Sequence, residues 1–112
     1  MNIIKISKNQ IISSNTLNLF DNNITFENFK FEDEMYIGIR PEDISFKKDR
    51  EIQLNVKIDL IENLGFEKII YSKVSDNQII IKSSENINEK SIIISFSKDK
   101  VLFFDKNKNR IR

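Results

Sequence analysis

The chain has 112 residues, a net charge of +1 and no cysteine or histidine. That excludes disulfides, thiolate metal sites and every histidine-based catalytic device, and it gives no general attraction to polyanions. It contains 22 isoleucines and 14 asparagines but no alanine, a bias towards pleated, half-buried segments and away from helix.

In chain order, strands are expected near 2–6, 10–13, 16–20, 24–27 and 35–40, then 51–63, 67–74, 78–83, 91–96 and 101–105. Turns are expected at Asp21-Asn22-Asn23, at Asp76-Asn77 and at Lys106 to Asn109, all residue types that tolerate left-handed backbone. Pro41 should end the fifth strand, because it has no amide hydrogen, and start a single helical turn over 41–44. From Ile52 to Leu60 apolar and polar residues alternate strictly, the pattern of a strand with one buried face. The alternation breaks at Leu60-Ile61, which predicts a bulge or bend there. About nine or ten short strands joined by polar turns indicate an all-β barrel or sandwich forming one domain over 1–112.

Several chemistries lack their residues. The two glycines, Gly38 and Gly65, cannot build a phosphate-cradling loop. The acidic run Glu32-Asp33-Glu34 reads as a solvated loop, since no glycine shapes it around an ion. Phe26, Phe29, Phe31 and Tyr36 could form a base-stacking platform, but Glu27, Glu32, Asp33 and Glu34 among them would repel phosphate, so core or subunit-interface aromatics are expected. The last fifteen residues are basic (Lys98, Lys100, Lys106, Lys108, Arg110 and Arg112 against Asp99 and Asp105) and read as a solvated terminal hairpin. No apolar run approaches the ~18 residues of a membrane span.

Three segments stand apart from composition. Gly38-Ile39-Arg40-Pro41-Glu42-Asp43 runs from a strand into a charged corner. Glu62, Leu64, Gly65 and Glu67 form a second set, and Phe103-Phe104-Asp105 followed by Arg110-Ile111 a third. In this order and spacing the chain resembles the C-terminal TOBE (transport-associated OB) domain of ABC importer ATPase subunits, of the sugar and glycerol-phosphate group that includes the maltose ATPase. Met1-Asn2 is similar to the junction where such subunits leave their nucleotide-binding domain. Lys108-Asn109 stand where the family often has Thr-Gly, with Asn109 the residue suited to left-handed backbone.

The resemblance implies an OB-like barrel that regulates and dimerises an ATPase and has no catalysis of its own. It implies three partners: an ATPase domain on the same polypeptide, a second copy of the subunit and, indirectly, the membrane permease subunits. ATP and magnesium would belong to that ATPase domain, with no cofactor, metal or nucleic acid on this chain. The location would be cytoplasmic, on the inner face of the membrane. Gly38, Arg40, Pro41, Glu42, Glu62, Gly65, Phe103, Phe104 and Asp105 are the motif residues, structural or at an interface. For the corner the alternatives are an interface held by its charges and a structural turn in which Arg40 bonds a carboxylate or carbonyls. Two other functions are weighed: a TOBE domain binding an oxyanion or sugar phosphate, and an OB-type binder of single-stranded nucleic acid.

Overall fold

A computed structural model describes residues 1–27, 29–32 and 34–111. Ten strands and three short 3₁₀ turns make it all-β, with strands in three sheets built largely of antiparallel pairs and no closed barrel among the described residues. The strands are β1 (Asn2–Ile6), β2 (Thr16–Leu19), β3 (Asn22–Thr25), β4 (Met35–Ile39), β5 (Ile52–Asn63), β6 (Lys68–Val74), β7 (Asn77–Ser83), β8 (Ser91–Phe96), β9 (Leu102–Asp105) and β10 (Arg110–Ile111). The chain divides into two compact units, one of 1–2 and 39–100, the other of 3–38 and 101–112.

The first unit is built on the sheet β7-β6-β5-β8. Ile52, Leu54 and Val56 of β5 face inward with Ile70, Ile79, Ile81, Ile94 and Phe96, all essentially buried. At ~1.5–3 kcal/mol per fully buried side chain, this face is the unit's main stabilisation. The ladder of β5 and β6 runs Lys57↔Lys73, Ile58↔Ser72, then Leu60↔Tyr71 and Ile61↔Ile70, so Asp59 is an extra residue without a partner. The expected bulge is thus present, but one residue earlier than the doubled apolar pair. The shift turns Leu60 to the outer face, 57% exposed, and puts Ile61 opposite buried Ile70.

Both edges of this sheet are partly closed. The Asn2 carboxamide donates to the Ile80 carbonyl at 2.8 Å and accepts from the Ile80 amide at 2.7 Å, in place of a neighbouring strand on β7. At β8, Ser45 and Ser95 exchange both backbone hydrogen bonds at 2.8 Å, and the Ser95 hydroxyl donates to the Lys47 carbonyl.

The second unit holds the sheet β1-β4-β9-β10 and the hairpin β2-β3. Ile4, Ile6, Leu17, Leu19, Ile24, Met35, Ile37, Val101 and Leu102 are its buried apolar residues, joined by Phe26 and Phe103. Phe29 and Phe103 stack at 3.9 Å between centroids, and Phe26 and Phe31 meet Phe103 edge-on at 5.1 and 5.9 Å. The aromatics are therefore a packed cluster, and the loop carrying them is tied by the Phe31 amide to the Ser14 carbonyl at 2.8 Å.

Four local expectations change. Residues 10–13 do not form a strand: Lys8–Gln10 is a 3₁₀ turn, because the Gln10 side chain accepts the Ser7 amide at 2.9 Å, and only Ile11 bridges to Leu17. The β2-β3 turn is Phe20-Asp21, both at positive φ (48° and 71°), rather than Asp21 to Asn23. Register decides this, since Leu17 pairs with Ile24 on the buried face and Asn18 bonds Asn23 at 2.8 Å across the strands. Likewise the β6-β7 turn is Ser75-Asp76, with Ser75 at φ 52°, and Asn77 is already in the ladder opposite Val74. The terminal turn is followed by an additional strand, β10, so the observed ten strands are not the expected ten. Asp33 of the acidic run and Arg112 of the basic tail lie outside the described residues.

Deleting Asp59 should be tolerated, since both flanking registers survive its loss. Deleting Asn55 should reverse Ile52 and Leu54 to the solvent face and lose roughly 3–6 kcal/mol. Urea denaturation of the two variants against the parent checks the contrast.

Candidate functional site

The motif residues fall into three groups, each made by a different local rule. At the corner, Ile39 ends β4 and Arg40 stays extended (φ −73°, ψ 138°), after which Pro41 opens a 3₁₀ turn through Asp43. A proline at the first position of such a turn lacks only an amide that would go unused there. The turn brings Asp43, not Glu42, back to Arg40: guanidinium and carboxylate are 3.8 Å apart and the Asp43 amide donates to the Arg40 carbonyl at 3.0 Å. An ion pair this exposed is worth ~0–1 kcal/mol, so the corner is held mainly by its backbone. Glu42 is exposed, with its side chain directed to no residue by any hydrogen bond or ion pair among those described.

At the tip of the β5-β6 hairpin, the Asn63 side chain accepts the Gly65 amide at 3.1 Å, and the Leu64 amide donates to the Glu67 carbonyl at 2.9 Å. Gly65 sits at φ +94° with open space where a Cβ would be, so its requirement is conformational and not steric. The Glu62 carboxylate accepts the Tyr71 hydroxyl at 2.5 Å, and this bond raises the Tyr71 pKa above the ordinary tyrosine value. Phe66, which the sequence reading did not single out, is 89% exposed at this tip, and Leu64 of the motif is 61% exposed beside it. Their signal in the sequence was two large apolar residues flanking an isolated glycine.

The third group comes together in one sheet. Gly38 pairs with Leu102 and Ile37 with Phe103 across β4 and β9, and Phe104 lies between Tyr36 and Arg110. Of the adjacent phenylalanines, Phe103 is buried in the aromatic cluster and Phe104 is half-exposed. One Asp105 carboxylate oxygen accepts the amides of Asn107 and Asn109, both at 2.9 Å. With those amides captured, the left-handed residue is Lys108 (φ 65°) and not Asn109, and the Lys108 ammonium stands 5.2 Å from the Tyr36 ring centroid.

Beside this turn lies an open cleft of about 820 Å³, lined by Lys5, Lys8 and Lys106 against Glu32, Glu34 and Asp105, with Ser7, Asn107 and Ile111. Its mixture of both charges suits a small polar ligand better than a uniformly charged polymer. Among the described residues no group of three or more acidic residues is placed to hold a metal ion, and no helix is long and apolar enough to cross a membrane. Neither the family models nor the curated proteins compared with this chain match it.

Gly65→Ala should destabilise by about 1 kcal/mol, through backbone strain alone, as read by the urea midpoint. Glu62→Gln should bring the Tyr71 titration back down towards the ordinary value, followed by tyrosinate absorbance. The sign is that of a raised folded pKa: the stability from this pair is present below the ordinary tyrosine value and is lost as pH rises through the folded one.

Proposed function

We propose that this chain is a β-rich interaction module without catalysis of its own, and within that class a TOBE-like domain of OB type. It would regulate and dimerise the ATP-binding subunit of an ABC importer for sugar or glycerol phosphate. The observation that carries the reading is the pairing of β4 with β9. Two motif segments more than sixty residues apart in sequence, Gly38 and its strand and the Leu-Phe-Phe-Asp strand, are direct neighbours in register. The Pro41 turn and the Gly65 bend supply local geometry that the same motifs require. On this reading ATP and magnesium are held by an ATPase domain of the same polypeptide. The partners are that domain, a twin subunit and, through them, permease subunits at the inner face of the membrane.

The size of the native polypeptide tests it. An antibody against this chain should detect, in its source cells, a species long enough to include an ATPase domain. A species no longer than these 112 residues overturns the reading.

A second reading has one observation in its favour: Lys5, Lys8 and Lys106 line the same cleft and could bind an oxyanion or sugar phosphate. Glu32, Glu34 and Asp105 on that cleft weaken its attraction for anions. Calorimetric titration of the chain with phosphate and with glycerol 3-phosphate should give only dilution heats. Saturable binding at micromolar concentration would put the ligand-binding function first.

A further inference from the structure

The bulge at Asp59 has a consequence on the outer face of the first unit's sheet. Because directly opposed residues of an antiparallel pair share a face, the register defines three rows across β5, β6 and β7. The central row is Leu60, Tyr71 and Ile80, apolar on all three strands. On one side lies the row Lys57, Lys73 and Gln78, and on the other Glu62, Ile69 and Lys82. A solvated sheet face is ordinarily polar along its strands, so a row of Leu60, 57% exposed, with half-buried Tyr71 and Ile80 marks a contact surface.

We propose that this band is the contact face of a symmetric dimer, and that its occupant is the same face of a second copy of this chain. The charge pattern selects that partner. A two-fold axis lying along the band places Leu60, Tyr71 and Ile80 on their own counterparts and exchanges the two flanking rows. Lys57 then faces Glu62 of the second copy, twice by symmetry, while Lys73 meets Ile69 and no two like-charged residues of these rows on β5 or β6 are superposed. An axis along the strands would instead set Lys73 against Lys73. The backbone edges also favour a face contact, since Asn2 already holds the Ile80 amide and carbonyl where a strand could add.

Shape agrees with charge. At ~3.4 Å per residue, the hairpin tip lies about as far beyond Glu62 as Asn55 and Ser75 lie beyond Lys57. The same two-fold therefore carries Leu64 and Phe66 towards a dent of about 480 Å³ bounded by Asn55, Lys57, Lys73, Val74, Ser75 and Ser91. Three band residues and one tip fall short of the ~800 Å² per partner of a stable interface, so the dimer is weak and concentration-dependent. Attachment to a larger dimeric assembly would raise the effective concentration enough for it to form. The surface follows from the strand register and does not need the importer reading.

Sedimentation equilibrium of the full chain, up to about 1 mM, decides the matter, since a weak complex populates only near its dissociation constant. The chain should show a monomer–dimer equilibrium that Leu60→Asp abolishes. Lys57→Glu and Glu62→Lys should each weaken it several-fold, and the double exchange should restore it. All three positions changed are solvent-facing in the monomer, and unchanged far-ultraviolet spectra establish that the variants fold. A chain monomeric throughout, a dimer indifferent to Leu60→Asp, or a double exchange weaker than both single ones overturns the proposal. Any of these leaves the importer reading standing, because a TOBE-like domain could associate through another face. A short native polypeptide would remove the importer reading and leave this face untouched.

Discussion

One unpaired residue, Asp59, governs how the long β5-β6 hairpin distributes its side chains. A strand shows alternate residues to opposite faces, so a single extra residue exchanges inside and outside for everything beyond it. Up to Ile58 the even-numbered residues of β5 face the core; after Asp59 the odd-numbered Ile61 faces it, opposite buried Ile70. The core gains an isoleucine at the position the ladder needs, and the outer face acquires Leu60. Every feature of the distal hairpin, including the Glu62–Tyr71 bond and the exposed apolar tip, stands on that exchange.

The edges of the same sheet are managed by side chains and short bridges. Open strand edges offer amides and carbonyls to any passing chain, and the usual remedies are charge, proline or cover. Here Asn2 uses its carboxamide as a one-residue substitute strand on β7, and Ser45 bridges β8 at Ser95. Asparagine and serine, abundant for compositional reasons, thus do structural work at two points where a backbone would otherwise be exposed. The asparagine at position 2 is accordingly buried although its side chain is polar.

The functional reading rests on convergence. Motifs that the sequence separates by most of its length meet in β4 and β9, while the proline corner and the glycine bend belong to the other unit and keep their own local logic. The corner's charges are partly exposed and 3.8 Å apart, so its geometry comes mainly from Pro41 and the backbone bond to Arg40. Its ion pair is Arg40–Asp43 because a 3₁₀ turn returns the chain after three residues, which residue types alone do not reveal.

The sequence by itself determined the all-β class, the boundaries of most strands and the Pro41 turn. These follow from period-two alternation and from the missing proline amide, properties of a few neighbouring residues, whereas the left-handed backbone that Gly65 serves is visible only in the structure. Turn positions and faces were decided by tertiary structure. Asp21 to Asn23 is rich in turn formers, yet the turn falls on Phe20-Asp21 because Leu17, Leu19 and Ile24 must share a buried face. Asn109 suits left-handed backbone, yet Lys108 adopts it because Asp105 holds both flanking amides. Residues 10–13 carry two adjacent isoleucines but have only one bridge to make, so a side-chain-supported turn takes their start. At the β2-β3 turn the deciding partners lie across the strands, and local preference yields to register; at Lys108 and at Lys8–Gln10 a side chain a few residues away decides instead.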